Sequence, residues 1–165
     1  MKRTILSLLF ISISFFTFSQ SKPIVKEDIL YLTIENGVGI DVPVRFDLFG
    51  KHTLDMVKNL EYYKFWKSKN ITSVTLNETN DDDVIIFLSE IIKKSSRETK
   101  FQLKNISSYN LIENSKGSIL VTGVNSFMIS FPFKGENGYG ISKTSEVMIS
   151  VDFGKENVTY KPLIL

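Results

Sequence analysis

The sequence predicts an α+β fold in which two helices pack on one face of a mostly antiparallel sheet, whose strands lie largely in the C-terminal half. Two observations carry this prediction. Residues 81–96 repeat apolar side chains at helical spacing, and the segments after them alternate apolar and polar side chains between turn residues. Such alternation is typical of antiparallel strands that are covered on one side.

Two strands are predicted before the first helix. Ile29 to Ile34 is rich in β-branched and aromatic residues, and Val42 to Phe49 alternates between apolar and polar side chains. The link Gly37-Val38-Gly39 suits a hairpin turn. Pro43 has no N–H to donate, so we expect it at a sheet edge or near a strand start.

Two helices follow, with a short strand predicted between them from Ile71 to Leu76. The first helix is predicted from Thr53 to Lys67, with Thr53 as its N-cap and Asp55 in its first turn. The second runs from Asp81 to Ser96, because three aspartates open it and basic residues close it. Its apolar stripe consists of Val84, Ile85, Leu88, Ile91 and Ile92.

Four strand candidates follow the second helix in quick succession, and glycine-containing turns separate them. The pair Asn137-Gly138 is the strongest hairpin signal in the chain. The predicted strands cover residues 118–122, 127–133, 141–153 and 158–164.

This order of helix and then strand meander resembles the cystatin and nuclear-transport-factor-2 types of fold. The resemblance implies a curved sheet wrapped on a helix. It lies in the order of elements alone, so no functional residue is carried over to this chain.

The first twenty residues have the pattern of a cleaved secretory signal. Lys2-Arg3 precedes a mostly apolar run from Ile5 to Phe18 that includes four hydroxyl side chains. The run is shorter than the roughly 20 apolar residues of a membrane-spanning helix. Its ending, Phe18-Ser19-Gln20, resembles bacterial export signals. We therefore expect residues 1–19 to be removed, which leaves 20–165 as a single globular α+β domain without a membrane span, in the periplasm or outside the cell.

Charge and cysteine content exclude several classes of function. Removing residues 1–19 takes away two basic residues and no acidic one, so the 20 basic and 18 acidic residues become 18 of each. A neutral chain without a long basic run is not suited to nucleic acid. The absence of Cys excludes disulfides, thiol catalysis and thiolate metal sites. The densest basic cluster is typical of a solvated helix end facing the carbonyl dipole. It consists of Lys93, Lys94, Arg97 and Lys100.

Catalytic and metal motifs are missing. His52 is the only histidine, so no His-rich zinc site is possible, and its place before a helix suits a loop residue. A Ser-His-Asp triad is formally possible, but no Ser lies in a G-x-S-x-G elbow. The run Asp81–Asp83 is better explained by helix capping than by cation binding, because consecutive helical residues point about 100° apart. We therefore predict no cofactor and no metal.

Two aromatic or polar clusters are candidates for ligand contact. Tyr62 and Trp66 lie four residues apart, so both rings are expected on one face of the first helix, where they could contact a sugar or a partner. The alternative is that this aromatic cluster belongs to the core. Glu136, Asn137 and Tyr139 form a predicted hairpin tip, which is either a contact surface or only a turn.

The sequence therefore favours an exported, non-enzymatic domain that binds an unknown protein or glycan of the cell envelope. The alternative is a hydrolase of envelope glycan or peptidoglycan that uses two carboxylates. Its acids would have to come from scattered positions that nothing in the sequence pairs. They are Asp47, Glu78, Glu113 and Asp152.

Overall fold

A computed structural model describes residues 22–36, 40–49, 53–71, 81–136 and 139–165. Within these ranges, three α-helices pack with an eight-stranded, mostly antiparallel sheet, which confirms the α+β class. The finer prediction matches only roughly, because there is one helix more than expected and three of the eight strands precede the helices. The predicted signal, the 37–39 turn, His52 and nearly all of the predicted 71–76 strand lie outside the described residues.

The described strands form one sheet in the order β1-β2-β3-β5-β6-β7-β8, and β4 pairs with β6 beside this path. All pairs are antiparallel except β3 with β5, which are parallel because the three helices connect them as a crossover. The strands are β1 (Ile24–Lys26), β2 (Ile29–Glu35), β3 (Asp41–Phe49), β4 (Asn110–Leu111), β5 (Lys116–Gly123), β6 (Ser126–Glu136), β7 (Ser142–Phe153) and β8 (Val158–Ile164).

The helices are α1 (Thr53–Asn59), α2 (Glu61–Asn70) and α3 (Asp81–Phe101). The single helix predicted from Thr53 to Lys67 is wrong, because Leu60 is extended, with φ −61° and ψ 130°, and divides it. In one continuous helix, Val57 and Tyr63 would lie about 120° apart around the axis. The break lets both side chains reach the core, where they are buried.

The sheet curls around α3. Seven strands side by side would span about 29 Å in a flat sheet. Yet α3 contacts β1 and β2 at one end of the strand order and β8 at the other, and Thr33 of β2 and Tyr160 of β8 line one cavity beside this helix. The two ends of the sheet therefore lie on either side of α3, and one face of this helix remains between them.

Candidate functional site

A cleft of about 760 Å³ lies along the exposed face of α3. The end of β2 lines it on one side, and α2 and β8 line it on the other. Ligand sites of proteins are concave and commonly of this size. Because four separate elements meet here, the cleft exists only in the folded chain.

Tyr62 and Trp66 lie on the same wall of the cleft. Trp66 is only 7% exposed, because its ring packs on Tyr63 and Phe87 at centroid distances of 6.0 and 5.2 Å. Its Nε1 donates a hydrogen bond to the Glu90 carboxylate at 2.8 Å. The indole is thus held in one orientation within the core, and only its edge reaches the cleft.

The basic cluster of α3 lines the cleft as well. Helical spacing places its members on one face, since positions 93, 97 and 100 are successive turns apart. Within the described part of the chain, none of the four forms an ion pair, whereas five other lysines do. The interpretation as a helix end holds only for Lys100, because α3 continues to Phe101 and Lys100 is the one basic residue in its last turn. It also did not anticipate the cleft. The members of the cluster are Lys93, Lys94, Arg97 and Lys100.

Phe101, the last residue of α3, is 53% exposed and also lines the cleft. The Arg97 guanidinium carbon lies 5.8 Å from the centre of its ring. Sequence reasoning missed this residue, although an arginine four positions before an aromatic residue on a helix is a readable signal for a cation–π contact. Phe101 is the most exposed of the aromatic side chains along the cleft that the structure describes.

Hydrogen bonds tie the end of β2, which lines the cleft, to the neighbouring β4, which does not. The Asn36 amide donates to Asn110 Oδ1, and Asn36 Oδ1 accepts from the Leu111 N–H at 3.2 Å. Tyr109 and Ser96 share a hydroxyl–hydroxyl hydrogen bond of 2.7 Å. Burial raises the pKa of Tyr109, and the Ser96 bond offsets only part of that rise. Tyr109 therefore stays protonated, and these bonds fix α3 to the strands beside it.

Tyr160 of β8 closes the opposite wall. Burial raises its pKa, and the nearby Tyr62, Glu98 and Glu90 raise it further. Its hydroxyl is therefore neutral at physiological pH and presents no charge to the cleft.

The carboxylates suggested for a hydrolase do not converge among the described residues. Asp47 pairs with Lys116 at 2.6 Å and Asp152 pairs with Lys161 at 3.1 Å, both on the outer face of the sheet. Three strand spacings separate β3 from β7, about 14 Å across the sheet. Glu113 lies in the turn before β5, and Glu78 is outside the described residues.

The predicted hairpin tip does not join the cleft. Glu136 Oε2 accepts a hydrogen bond from the Asn105 amide at 2.7 Å, and the Glu136 N–H donates to Ser108 Oγ at 2.9 Å. Glu136 lines a second, smaller cavity of about 270 Å³. Tyr139 is 91% exposed, and Asn137 lies outside the described residues.

The cleft is the main candidate site among the residues that the structure describes. Among the residues that the structure describes, no group of three or more His, Asp or Glu side chains is arranged to hold a metal ion. In the same ranges, no helix combines the length and apolar character needed to cross a membrane. Comparisons with protein-family models, curated proteins and solved structures gave no match.

Proposed function

We propose that the protein is an exported bacterial domain of the periplasm or extracellular space, that it is not an enzyme, and that it binds a protein or glycan of the cell envelope in the α3 cleft. The observation that carries this proposal is the cleft itself, which joins an aromatic edge, a row of cations and polar side chains from four elements. The export signal predicted from residues 1–19 supports the location.

Binding is favoured over catalysis because the groups around the cleft already have structural roles. Glu90 accepts the hydrogen bond of Trp66, and Tyr109 is paired with Ser96. Polar groups held in this way keep fixed positions and can orient a ligand.

A hydrolase remains the alternative, and one observation favours it. Glu35 and Glu90 line the same cleft from β2 and α3. Two carboxylates across a cleft are the catalytic set of glycoside hydrolases when they lie about 5 to 9.5 Å apart. The test below therefore includes an assay for cleavage.

Two substitutions on α2 test the cleft. Asn70 lines it, and Asn70→Phe narrows it with a bulky ring. Ser68→Phe is the matched control, because Ser68 is exposed and does not line the cleft. Each residue donates one side-chain hydrogen bond to a backbone carbonyl, Asn70 to Trp66 and Ser68 to Phe65.

The three proteins are immobilised, host envelope extract is passed over them, and retained glycans and proteins are quantified. We expect wild type and Ser68→Phe to retain the same component and Asn70→Phe to retain about tenfold less. Equal retention by all three proteins contradicts the cleft as the binding site. Release of new reducing ends from the extract by wild type, and not by Glu90→Gln, supports the hydrolase instead.

A further inference from the structure

We infer that the ligand of the cleft is an acidic glycan, whose anionic groups contact the four cations of α3 and whose sugar ring stacks on Phe101. The inference rests on the proposed function and names the chemistry of its ligand. The cations are Lys93, Lys94, Arg97 and Lys100.

The row of cations fits several anions in line rather than one. Lys100 lies seven positions after Lys93, and a helix rises about 1.5 Å per residue, so the row of cations is about 10 Å long. A polymer with an acidic group on successive units presents charges at intervals along such a row. A single small anion would contact only one end of it.

The cations also form no ion pair within the described residues. Like charges three or four positions apart destabilise a helix, and Arg97 has Lys93 and Lys94 on one side and Lys100 on the other, while Glu90 and Glu98, each four positions from Lys94, offset part of this charge. No ion pair relieves this repulsion within the described ranges, although Lys58 and Lys67 nearby on α1 and α2 both reach aspartates. A bound polyanion would relieve it.

Phe101 supplies the contact for a sugar ring. It is 53% exposed, and Arg97 lies against its ring, so an apolar surface and a cation stand side by side. The C–H face of a sugar stacks on an aromatic ring while an acidic substituent reaches the neighbouring guanidinium.

The other lining groups favour a glycan over nucleic acid or a membrane. Glu90 lines the same cleft, and its carboxylate can accept hydrogen bonds from sugar hydroxyls. Asn70 adds an amide of the kind that binds sugars. A concave cleft also cannot present its floor to a flat membrane surface.

Matched probes and matched variants test the inference by calorimetry on the purified protein. The sugar probes are oligogalacturonate with its methyl ester, and dextran sulfate with dextran, so each acidic glycan has an uncharged counterpart. Oligothymidylate and phosphatidylglycerol vesicles represent the other anions. One variant combines Lys93→Gln, Lys94→Gln, Arg97→Gln and Lys100→Gln. The control carries the same change of net charge on exposed cations outside the cleft, as Lys26→Gln, Lys64→Gln, Lys134→Gln and Lys155→Gln.

We expect wild type to bind at least one acidic glycan and to bind its uncharged counterpart more than about tenfold more weakly. The cleft variant should lose roughly 30-fold in affinity, since exposed ion pairs contribute little singly but four act together. The control should stay within about twofold, because its exposed charges do not line the cleft and therefore do not contact the ligand. Phe101→Ala should weaken binding while leaving the preference for acidic over neutral sugar.

Equal affinity for charged and neutral sugars overturns the inference, and so does equal loss in the cleft and control variants. Tighter binding of oligothymidylate or of the vesicles than of either acidic glycan overturns it as well. If neither acidic glycan binds, the inference fails while the proposed function is judged separately by the Asn70→Phe and Ser68→Phe comparison. Circular dichroism melting of each variant verifies that it is folded.

Discussion

Two buried tyrosines differ in whether their hydroxyl groups form a hydrogen bond. Tyr63 and Tyr109 are 1% and 3% exposed. The Tyr109 hydroxyl bonds to Ser96, whereas the Tyr63 hydroxyl has no hydrogen-bond partner among the described residues. A buried polar atom loses its hydrogen bonds to water on folding. A partner in the protein replaces them, whereas an atom without a partner lowers the stability of the folded state.

Replacing each of these tyrosines by Phe should therefore have opposite consequences. Tyr63→Phe removes an unpaired hydroxyl, so its free energy of unfolding should stay within about 0.5 kcal/mol of wild type or rise. Tyr109→Phe breaks a buried hydrogen bond and leaves Ser96 unpaired, which should cost about 1 to 2 kcal/mol. Urea unfolding measures both, and a larger loss in Tyr63→Phe would show that its hydroxyl is paired.

Stability should also fall at high pH. Burial raises the pKa of Tyr109 and of Tyr160 above the ordinary value near 10. Above that pH the unfolded chain loses tyrosine protons that the folded chain retains, so ionisation favours unfolding. The free energy of unfolding should be unaffected by these groups below about pH 10 and decrease above it. Tyr109→Phe should show a shallower decrease, and an identical slope would contradict the assignment.

At the scale of elements, an ion pair fastens α2 to α3. Lys67 and Asp83 lie 3.1 Å apart, with side chains 7% and 19% exposed. Asp82, the preceding residue, pairs instead with Lys22 at 2.6 Å, where both side chains are more than half exposed. The two aspartates share the first turn of α3, so they differ mainly in burial.

Asp83→Ala should accordingly destabilise the protein by about 3 kcal/mol, because it leaves a buried lysine without this carboxylate. Asp82→Ala should cost no more than about 0.5 kcal/mol, since an exposed pair contributes little. Both changes remove a similar helix-dipole interaction, so their difference reports the buried pair. Thermal or urea unfolding measures it, and equal losses would mean that the Lys67 pair does not dock the two helices.

The sequence predicted the helices and strands better than the points at which they are interrupted. The stripe from Val84 to Ile92 was readable because helix periodicity is local, and the N-terminal boundary of α3 was predicted correctly. The predicted end at Ser96 was wrong, because the helix continues to Phe101. The break at Leu60 was not readable, since it depends on which core positions Val57 and Tyr63 must reach. The sequence did not predict β4 and β1, because strands of two and three residues are too short to show an alternating pattern of apolar and polar side chains.

At the scale of the whole molecule, the cleft depends on contacts that no local pattern encodes. Thr33 and Tyr160 both line it, although they belong to strands near opposite ends of the sheet. Tyr62 and Trp66 were identified from their helical spacing, and the basic cluster was identified as an exposed face. That these groups share one cleft follows from the curl of the sheet around α3, which the sequence implied only through a resemblance in element order.

Export is a property of the whole chain and has a direct test. We predict that cleavage after Ser19 leaves Gln20 as the N-terminus, because small residues precede that bond. Intact-mass spectrometry of protein recovered from the host periplasm and medium should give the mass of residues 20–165, with loss of ammonia if Gln20 cyclises. A mass that includes residues 1–19 would contradict export with cleavage.

The most direct test of the binding cleft is a residue-by-residue map of ligand contact. Isotope-labelled protein is titrated with the envelope component that wild type retains, and amide chemical shifts are followed by nuclear magnetic resonance. We predict that the largest changes occur together at Thr33, Trp66, Arg97 and Phe101. Changes concentrated on the hairpin tip at Glu136 and Tyr139, or on the outer face at Phe49 and Leu120, would contradict it.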